Sequence, residues 1–294
     1  MNCRYCPSTN TFIEDNTYSS ILPQIMWHVT DLCRLRCKTC FSQNFGKVGC
    51  LDKSSVDSSL DILSQLGVQK IDISGGEPLL LENLSYLCNK ATEKGVYLTI
   101  TTRGVGLEDN KNWIIRHWSL FSRVILSLDG STPEQVDNYS SYPGTFAAFE
   151  CLNKSLLDNG CNNIRINTVV NKQICDRHAA SAMIQKIKEL LPLEWCIIQP
   201  HPLNKKREYD LYSADNSEYQ HFLSMAYQDF EGTSSTKVLG RNNDTYSTYW
   251  ELLPDNKICR LSSDENYSFC KEFVQNNFAL ILSEIIKSDN SITI

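Results

Sequence analysis

Trp27-His28-Val29-Thr30-Asp31-Leu32-Cys33-Arg34-Leu35-Arg36-Cys37-Lys38-Thr39-Cys40-Phe41 leaves an apolar run and enters three cysteines spaced by four and then three residues. A loop of this length can wrap one cubane iron–sulfur cluster, whose irons are ordinarily held by cysteine thiolates. Four irons and three protein thiolates leave one iron open, so the metal can take a substrate or cofactor as well as pass electrons. A zinc ion is the other reading of the same thiols, with His28 or Cys50 closing the tetrahedron.

The apolar run at 25–29 that leads into this loop is the first of six candidate strands, followed by 69–74, 96–101, 123–128, 164–170 and 195–199. Helical patterns lie between them. Val56, Leu60, Leu63 and Leu66 recur at steps of three and four, as do Leu84, Leu87, Cys88 and Ala91, and then Phe146, Phe149, Leu152 and Leu156. Gly67, Gly95 and Gly160 stand where those helices stop. Alternating strands and helices predict an α/β fold with a parallel sheet and right-handed crossovers, ligands collecting at the carboxyl ends of the strands. The expected architecture is a partial (β/α)6 TIM-type barrel over 23–200, with an N-terminal extension at 1–22 and a C-terminal α+β cap at 201–294. In the cap the sequence predicts a helix at 217–230, a hairpin around Pro254-Asp255-Asn256 and a last helix at 278–286.

Composition narrows the function. The 294 residues can bury a sizeable core. With 28 basic against 34 acidic side chains the formal charge is −6, and no basic block exceeds Lys205-Lys206-Arg207. Neither a nucleic-acid groove nor a polybasic membrane patch is indicated. No apolar run reaches the ~18 residues of a membrane span, and Met1-Asn2-Cys3-Arg4-Tyr5-Cys6-Pro7 lacks the apolar core of a signal peptide. A cytoplasmic location is the expectation. The 13 cysteines are odd in number, which favours reduced thiols and metal ligands over disulfides.

Cys-x-x-x-Cys-x-x-Cys resembles the signature of the radical S-adenosylmethionine family, and the resemblance runs on downstream. Ile73-Ser74-Gly75-Gly76-Glu77-Pro78 resembles that family's Gly-Gly-Glu-Pro segment, Thr101-Thr102-Arg103-Gly104 stands where relatives read Thr-Asn-Gly, and Ser127-Leu128-Asp129-Gly130 resembles Ser-Leu-Asp-Gly. The resemblance implies a [4Fe-4S] cluster on Cys33, Cys37 and Cys40 whose open iron chelates the amino and carboxylate groups of S-adenosylmethionine. Reductive cleavage then gives a 5′-deoxyadenosyl radical that takes hydrogen from a substrate. It implies cofactor contacts at Gly75, Gly76 and Glu77; Ser127 and Asn167, polar residues on strands, read either as hydrogen-bond partners of ribose or carboxylate or as partners of backbone groups at the barrel rim. A tight strand-to-helix turn is the other reading of the two glycines.

Two positions depart from the family pattern. Thr39 replaces the usual aromatic residue before Cys40, which shifts the expected adenine contact to Phe41. Arg103 replaces asparagine and sets a fixed cation at the rim, either for an anionic substrate group or for an acidic neighbour. Arg34, Arg36 and Lys38 interleave the cysteines, either to offset cluster charge, to dock an acidic electron donor of the flavodoxin or ferredoxin type, or as a solvated loop.

Cys259 and Cys270 fall where peptide-modifying relatives carry an auxiliary cluster. Two readings are open for them: half of a four-thiol site completed by Cys3 and Cys6, or a hydrogen-atom donor to a product radical. Other cysteines read as small buried apolar residues, Cys88 most clearly. The second half resembles viperin-like nucleotide dehydratases through 165–172, 193–199, 218–222 and 249–253. Glu194 and Cys196 flank Trp195 where that family carries basic residues, which argues against a triphosphate, although Arg165 and Lys47 remain as substrate cations. A radical enzyme that abstracts hydrogen from a small molecule or peptide is the expectation, with a nucleotide dehydratase, a peptide maturase with an auxiliary cluster and a non-catalytic metal module as alternatives.

Overall fold

The structure, a computed structural model, describes residues 3–6, 11–14, 22–40, 42, 51–203, 208–232, 234–246, 249–261 and 267–288. A hairpin of β1 (Cys3–Cys6) and β2 (Thr11–Glu14) forms its own two-stranded sheet. The main sheet then begins with β3 (Gln24–His28), β4 (Lys70–Ser74), β5 (Tyr97–Thr102), β6 (Phe121–Ser127), β7 (Ile164–Val169) and β8 (Glu194–Ile198). Each pairs in parallel with the next, so the six expected strands are present in the expected order. Between them run α1 (Lys53–Gln65), α2 (Leu84–Glu93), α3 (Glu108–Arg116), α4 (Pro133–Ser140), α5 (Thr145–Asp158) and α6 (Arg177–Leu190).

Apolar stripes place these helices, and side-chain caps start α1, α4 and α6. The Asp52 carboxylate accepts from Ser55 N ahead of α1, and Asp176 accepts from His178 N and Ala179 N ahead of α6. Val56, Leu60 and Leu63 of α1, Leu84, Leu87 and Cys88 of α2, and Met183 and Ile187 of α6 enter one continuous core. Their partners are Ile25, Trp27, Ile71, Ile73, Leu98, Ile100, Val124, Leu126, Ile166, Trp195 and Ile197 of the strands. Burying each such side chain stabilises the fold by roughly 1.5–3 kcal/mol. Cys88 is fully buried among them, as its helical spacing indicated.

The opposite strand face is polar. Lys70, Asp72, Ser74, Thr101, Ser127, Arg165 and Asn167 line a cavity on the inner side of the sheet. A parallel strand covered by helices normally reads apolar on both faces. Polar residues at every second position of Lys70-Ile71-Asp72-Ile73-Ser74 therefore mark a lumen meant to hold something polar.

The segment after residue 200 extends this same sheet at both ends. After α7 (Tyr209–Tyr212) and α8 (Asn216–Phe230), β9 (Lys237–Arg241) adds in parallel to β8. Beyond α9 (Asn243–Tyr246), β10 (Trp250–Leu252) adds in parallel to β3, and β11 (Lys257–Leu261) and β12 (Tyr267–Glu272) follow antiparallel. The result is a ten-stranded sheet, and α10 (Phe278–Ser288) closes the order. Strands β9 and β12 have no sequence signal: Gly240 interrupts the first, and the second is largely exposed. One cysteine expectation is corrected here. Cys259 and Cys270, direct partners across β11 and β12, form a disulfide instead of remaining as reduced thiols. No helix among the described residues is long and apolar enough to cross a membrane.

Candidate functional site

The cysteine loop leaves the end of β3 and is pinned from two sides. Arg36 N donates to Ser140 O at 2.8 Å and Lys38 N to Tyr139 O at 3.0 Å, tying the loop to the end of α4. On the other side Gly76 N donates to Thr30 O at 2.7 Å and Glu77 N to Leu32 O at 2.8 Å. The approach is so close that only glycine fits. A Cβ on Gly75 would stand 2.5 Å from Thr30 O, and residue 75 holds φ +131°. The two glycines thus make the tight turn and also brace the loop that carries the thiols.

Cys33, Cys37 and Cys40 line one wall of a cavity of about 1180 Å³. Burial pushes the Cys33 thiol up to about 11 and the Cys37 thiol up to about 12. A cluster would take each of the three thiols on a different iron and leave one iron open. His28, the candidate fourth zinc ligand, is fully buried 3.4 Å from Glu251 on β10. Cys50 lies outside the described residues, as do the expected contacts Phe41 and Lys47.

Glu77 caps the turn at Pro78–Leu80 that follows it. Its Oε1 accepts from Leu79 N at 3.1 Å and from the Thr102 hydroxyl, and its Oε2 accepts from Arg103 N at 3.0 Å. Burial raises its carboxyl above the usual range against the pull of those bonds. Three bonds leave part of the carboxylate's acceptor capacity to the cavity it lines. Beside it the Arg103 guanidinium pairs with Asp129, so the acidic neighbour is real. Asp129 also accepts from Val169 N at 2.6 Å, and Asn171 Nδ2 donates to its carbonyl at 2.9 Å. Tyr139, which sequence reading missed, stands between these groups and the cysteines. Its hydroxyl bonds the Thr39 hydroxyl, and the Arg103 guanidinium carbon lies 5.6 Å from its ring centroid.

Deeper in the lumen the inner faces carry charge. Glu194 lies 3.3 Å from the Arg123 guanidinium and 3.8 Å from Arg165, all three buried. The carboxylate that argued against an anionic substrate is therefore matched by two guanidiniums. Lys70 lies 3.2 Å from Asp72, which also takes the Thr99 hydroxyl. Arg241 sits 4.8 Å over the Tyr249 ring on the same lining. In this part of the lining Lys70, Arg165 and Arg241 stand with one carboxylate, Asp72. Lys70, Asp72 and Arg241 go unnamed in the sequence reading; the polar–apolar alternation of Lys70-Ile71-Asp72-Ile73-Ser74 is a signal for the first two, whereas nothing in the sequence marks Arg241.

The family's cofactor pair fits these residues. Three thiols of one loop share a wall, and the Nη1 of Arg103 and the Oδ1 of Asn167 are buried on the lining without a hydrogen-bond partner among the described residues. Such orphans are held in reserve for a ligand or for water. Cys259 and Cys270 are brought to one another but not to this cavity, and Cys3 and Cys6 belong to the separate hairpin.

Comparison with known proteins agrees with this geometry. The sequence model of the Radical SAM superfamily matches residues 27–180. An S-adenosylmethionine-dependent nucleotide dehydratase of Flammeovirga pacifica is 27% identical over 66% of this chain and 68% of its own length. One of Lacinutrix mariniflava is 29% identical over 85% of this chain and 53% of its own, so the chain spans about half of that relative. Streptococcus suis SuiB, solved bound to S-adenosylmethionine, superposes with a TM-score of 0.70 at 15% identity, covering 92% of this chain and 67% of that one. At that identity the likeness is one of fold.

Proposed function

The chain belongs to the radical S-adenosylmethionine superfamily, and on that premise we propose that it abstracts hydrogen from a nucleotide-type substrate held in the lumen of the partial barrel. One observation carries the substrate class: the inward faces of β4, β7 and β9 present Lys70, Arg165 and Arg241 to one cavity. Phosphate groups are the anions that several cations suit, with arginine offering a planar fork. The naming of relatives that cover most of the chain as nucleotide dehydratases supports the same class.

Bound cluster and S-adenosylmethionine together supply a carbon-centred radical that removes hydrogen from substrate carbon. The chain's own residues do the rest. Cys33, Cys37 and Cys40 hold the cluster, and Gly75 and Gly76 keep the β4 turn against their loop. Glu77 turns its remaining acceptor capacity to the ammonium of the cofactor. Ser127 and Asn167, register partners on β6 and β7, offer a hydroxyl and an unpaired carbonyl oxygen to its ribose or carboxylate. Arg165, Lys70 and Arg241 take the substrate's anionic groups and orient its sugar toward the cysteine end. The exposed Arg34 and Arg36 of the loop present positive charge to an acidic one-electron donor of the flavodoxin or ferredoxin type.

The test is anaerobic reconstitution followed by 5′-deoxyadenosine measurement against nucleoside triphosphate and peptide panels. A nucleotide is expected to raise cofactor cleavage at least tenfold, and replacement of any of the three cysteines by alanine to abolish it. Acceleration by peptides alone contradicts the substrate class, and metal without any cofactor cleavage contradicts the enzyme reading.

A further inference from the structure

Two buried polar atoms on the cavity lining have no hydrogen-bond partner among the described residues, the Nη1 of Arg103 and the Oδ1 of Asn167. The strand register brings them to one row. Thr102 pairs with Leu126 and Leu126 with Ile166, while Ser127 pairs with Asn167. Residue 103, one position past the end of β5, therefore follows onto the row of Ser127 and Asn167. The guanidinium is fixed there from two sides. Its Nη2 donates to Asp129 Oδ2, Asp129 Oδ1 accepts from Val169 N at 2.6 Å, and the guanidinium carbon lies 5.6 Å from the Tyr139 ring centroid. One arm holds the side chain in place, and the other is a charged donor without an acceptor. A buried donor of this kind is costly unless a ligand or water takes it up.

Glu77 identifies the ligand chemistry. Its Oε2 accepts from Arg103 N at 3.0 Å and its Oε1 from the Thr102 hydroxyl, and the Arg103 charge opposes the rise that burial imposes on this carboxyl. A carboxylate and a charged guanidinium arm thus belong to one end of the cavity. Asp129, rather than Glu77, is the ion-pair partner of Arg103, so neither complement is neutralised by the other. An α-amino acid carries its ammonium and its carboxylate on one carbon and needs both complements close together. The Asn167 oxygen accepts and so suits a hydroxyl; of the two orphans only the Arg103 arm can take an anion. We propose that Arg103 Nη1 binds the carboxylate of S-adenosylmethionine while Glu77 takes its ammonium. The inference rests on the cofactor reading of the proposed function. Where the family pattern has a neutral asparagine amide, Arg103 adds a full charge to the hydrogen bond, and Asp129 and Tyr139 act as positioning residues for that arm. The cations Lys70, Arg165 and Arg241 are left to the substrate.

The experiment is equilibrium dialysis of anaerobically reconstituted protein, at matched iron content, against S-adenosylmethionine and against its decarboxylated analogue, which keeps the ammonium, ribose and adenine and lacks only the carboxylate. The quantity read is the ratio of the two dissociation constants. Any preference that iron lends the carboxylate is common to wild type and variant and cancels from the comparison. Arg103→Gln is expected to weaken binding of S-adenosylmethionine about tenfold or more, the scale of a hydrogen bond to a charged group, and to leave the affinity for the analogue near wild type. Arg103→Lys has one ammonium in place of a fork and cannot serve Asp129 and a carboxylate together, so it is expected to lose part of the preference. It carries the test should Arg103→Gln fail to retain iron. A purely structural role weakens both ligands alike, and an unchanged ratio in the variant that assembles overturns the inference. Wild-type protein with full iron that binds neither ligand contradicts the cofactor reading itself.

Discussion

Gly76 lies so close to Leu32 that a Cβ at residue 76 would stand 2.3 Å from the Leu32 carbonyl oxygen. The contact is backbone against backbone, so no side-chain rotation relieves it. Gly76→Ala should therefore push the β4 turn away from the cysteine loop, with an overpacking penalty of about 1–3 kcal/mol. Denaturant unfolding checks the stability, and iron content after reconstitution checks the loop. Full iron loading at wild-type stability would show that the brace is dispensable.

Glu194 holds two buried guanidiniums, Arg123 at 3.3 Å and Arg165 at 3.8 Å. Glu194→Gln leaves both without a counter-charge, and breaking a buried pair in this way destabilises by about 3–5 kcal/mol. The exposed pair Lys90–Glu93 is the contrast, since Glu93→Gln should change stability by less than about 1 kcal/mol. Equal effects of the two substitutions in urea unfolding would contradict the buried network.

Arg165 lines the lumen with its Nε unsatisfied by any hydrogen bond among the described residues. Arg165→Gln removes a charged partner worth about 1.5–3 kcal/mol to an anionic substrate, equivalent to roughly tenfold to a hundredfold in affinity. The expected outcome is a raised KM for the active nucleotide with kcat much less affected. An unchanged KM with a collapsed kcat would place Arg165 elsewhere in the reaction.

Asp72 supplies a pH dependence. Burial opposes its ionisation, but Lys70, the Thr99 hydroxyl and Arg241 outweigh burial and hold the carboxyl below its ordinary value of 3.8. A depressed pKa contributes stability that is complete above the unfolded value and lost as pH falls through the folded one. The stability gap between wild type and Asp72→Asn should thus be widest near neutrality and shrink below about pH 4. Denaturation series across pH read it directly, and a gap that widens on acidification would reverse the assignment.

Much of the fold is legible in the sequence because the parallel strands are local apolar runs and α1, α2 and α5 carry their own apolar stripes. The thiols, the Gly75-Gly76-Glu77 turn and Asp129 are legible for a related reason, since each follows a strand and the fold gathers strand ends. What the sequence hides depends on distant pairing. Lys237-Val238-Leu239-Gly240-Arg241 becomes a strand only because β8 offers it an edge, and so brings Arg241 to the lumen. Tyr139 carries no sequence signal until the fold sets it against Thr39. Glu194 reads as a lone carboxylate until register brings Arg165 beside it. The pairing of Cys259 with Cys270 likewise follows from the register of β11 and β12.

The central claim is that Cys33, Cys37 and Cys40 hold a cubane with one iron left open for S-adenosylmethionine. Low-temperature EPR of the anaerobically reconstituted, reduced protein tests it with and without that cofactor. A reduced [4Fe-4S] signal that changes shape when S-adenosylmethionine is added, and that disappears in the triple alanine variant, is the predicted result. A signal indifferent to the cofactor, or protein that retains zinc and no iron, would contradict it.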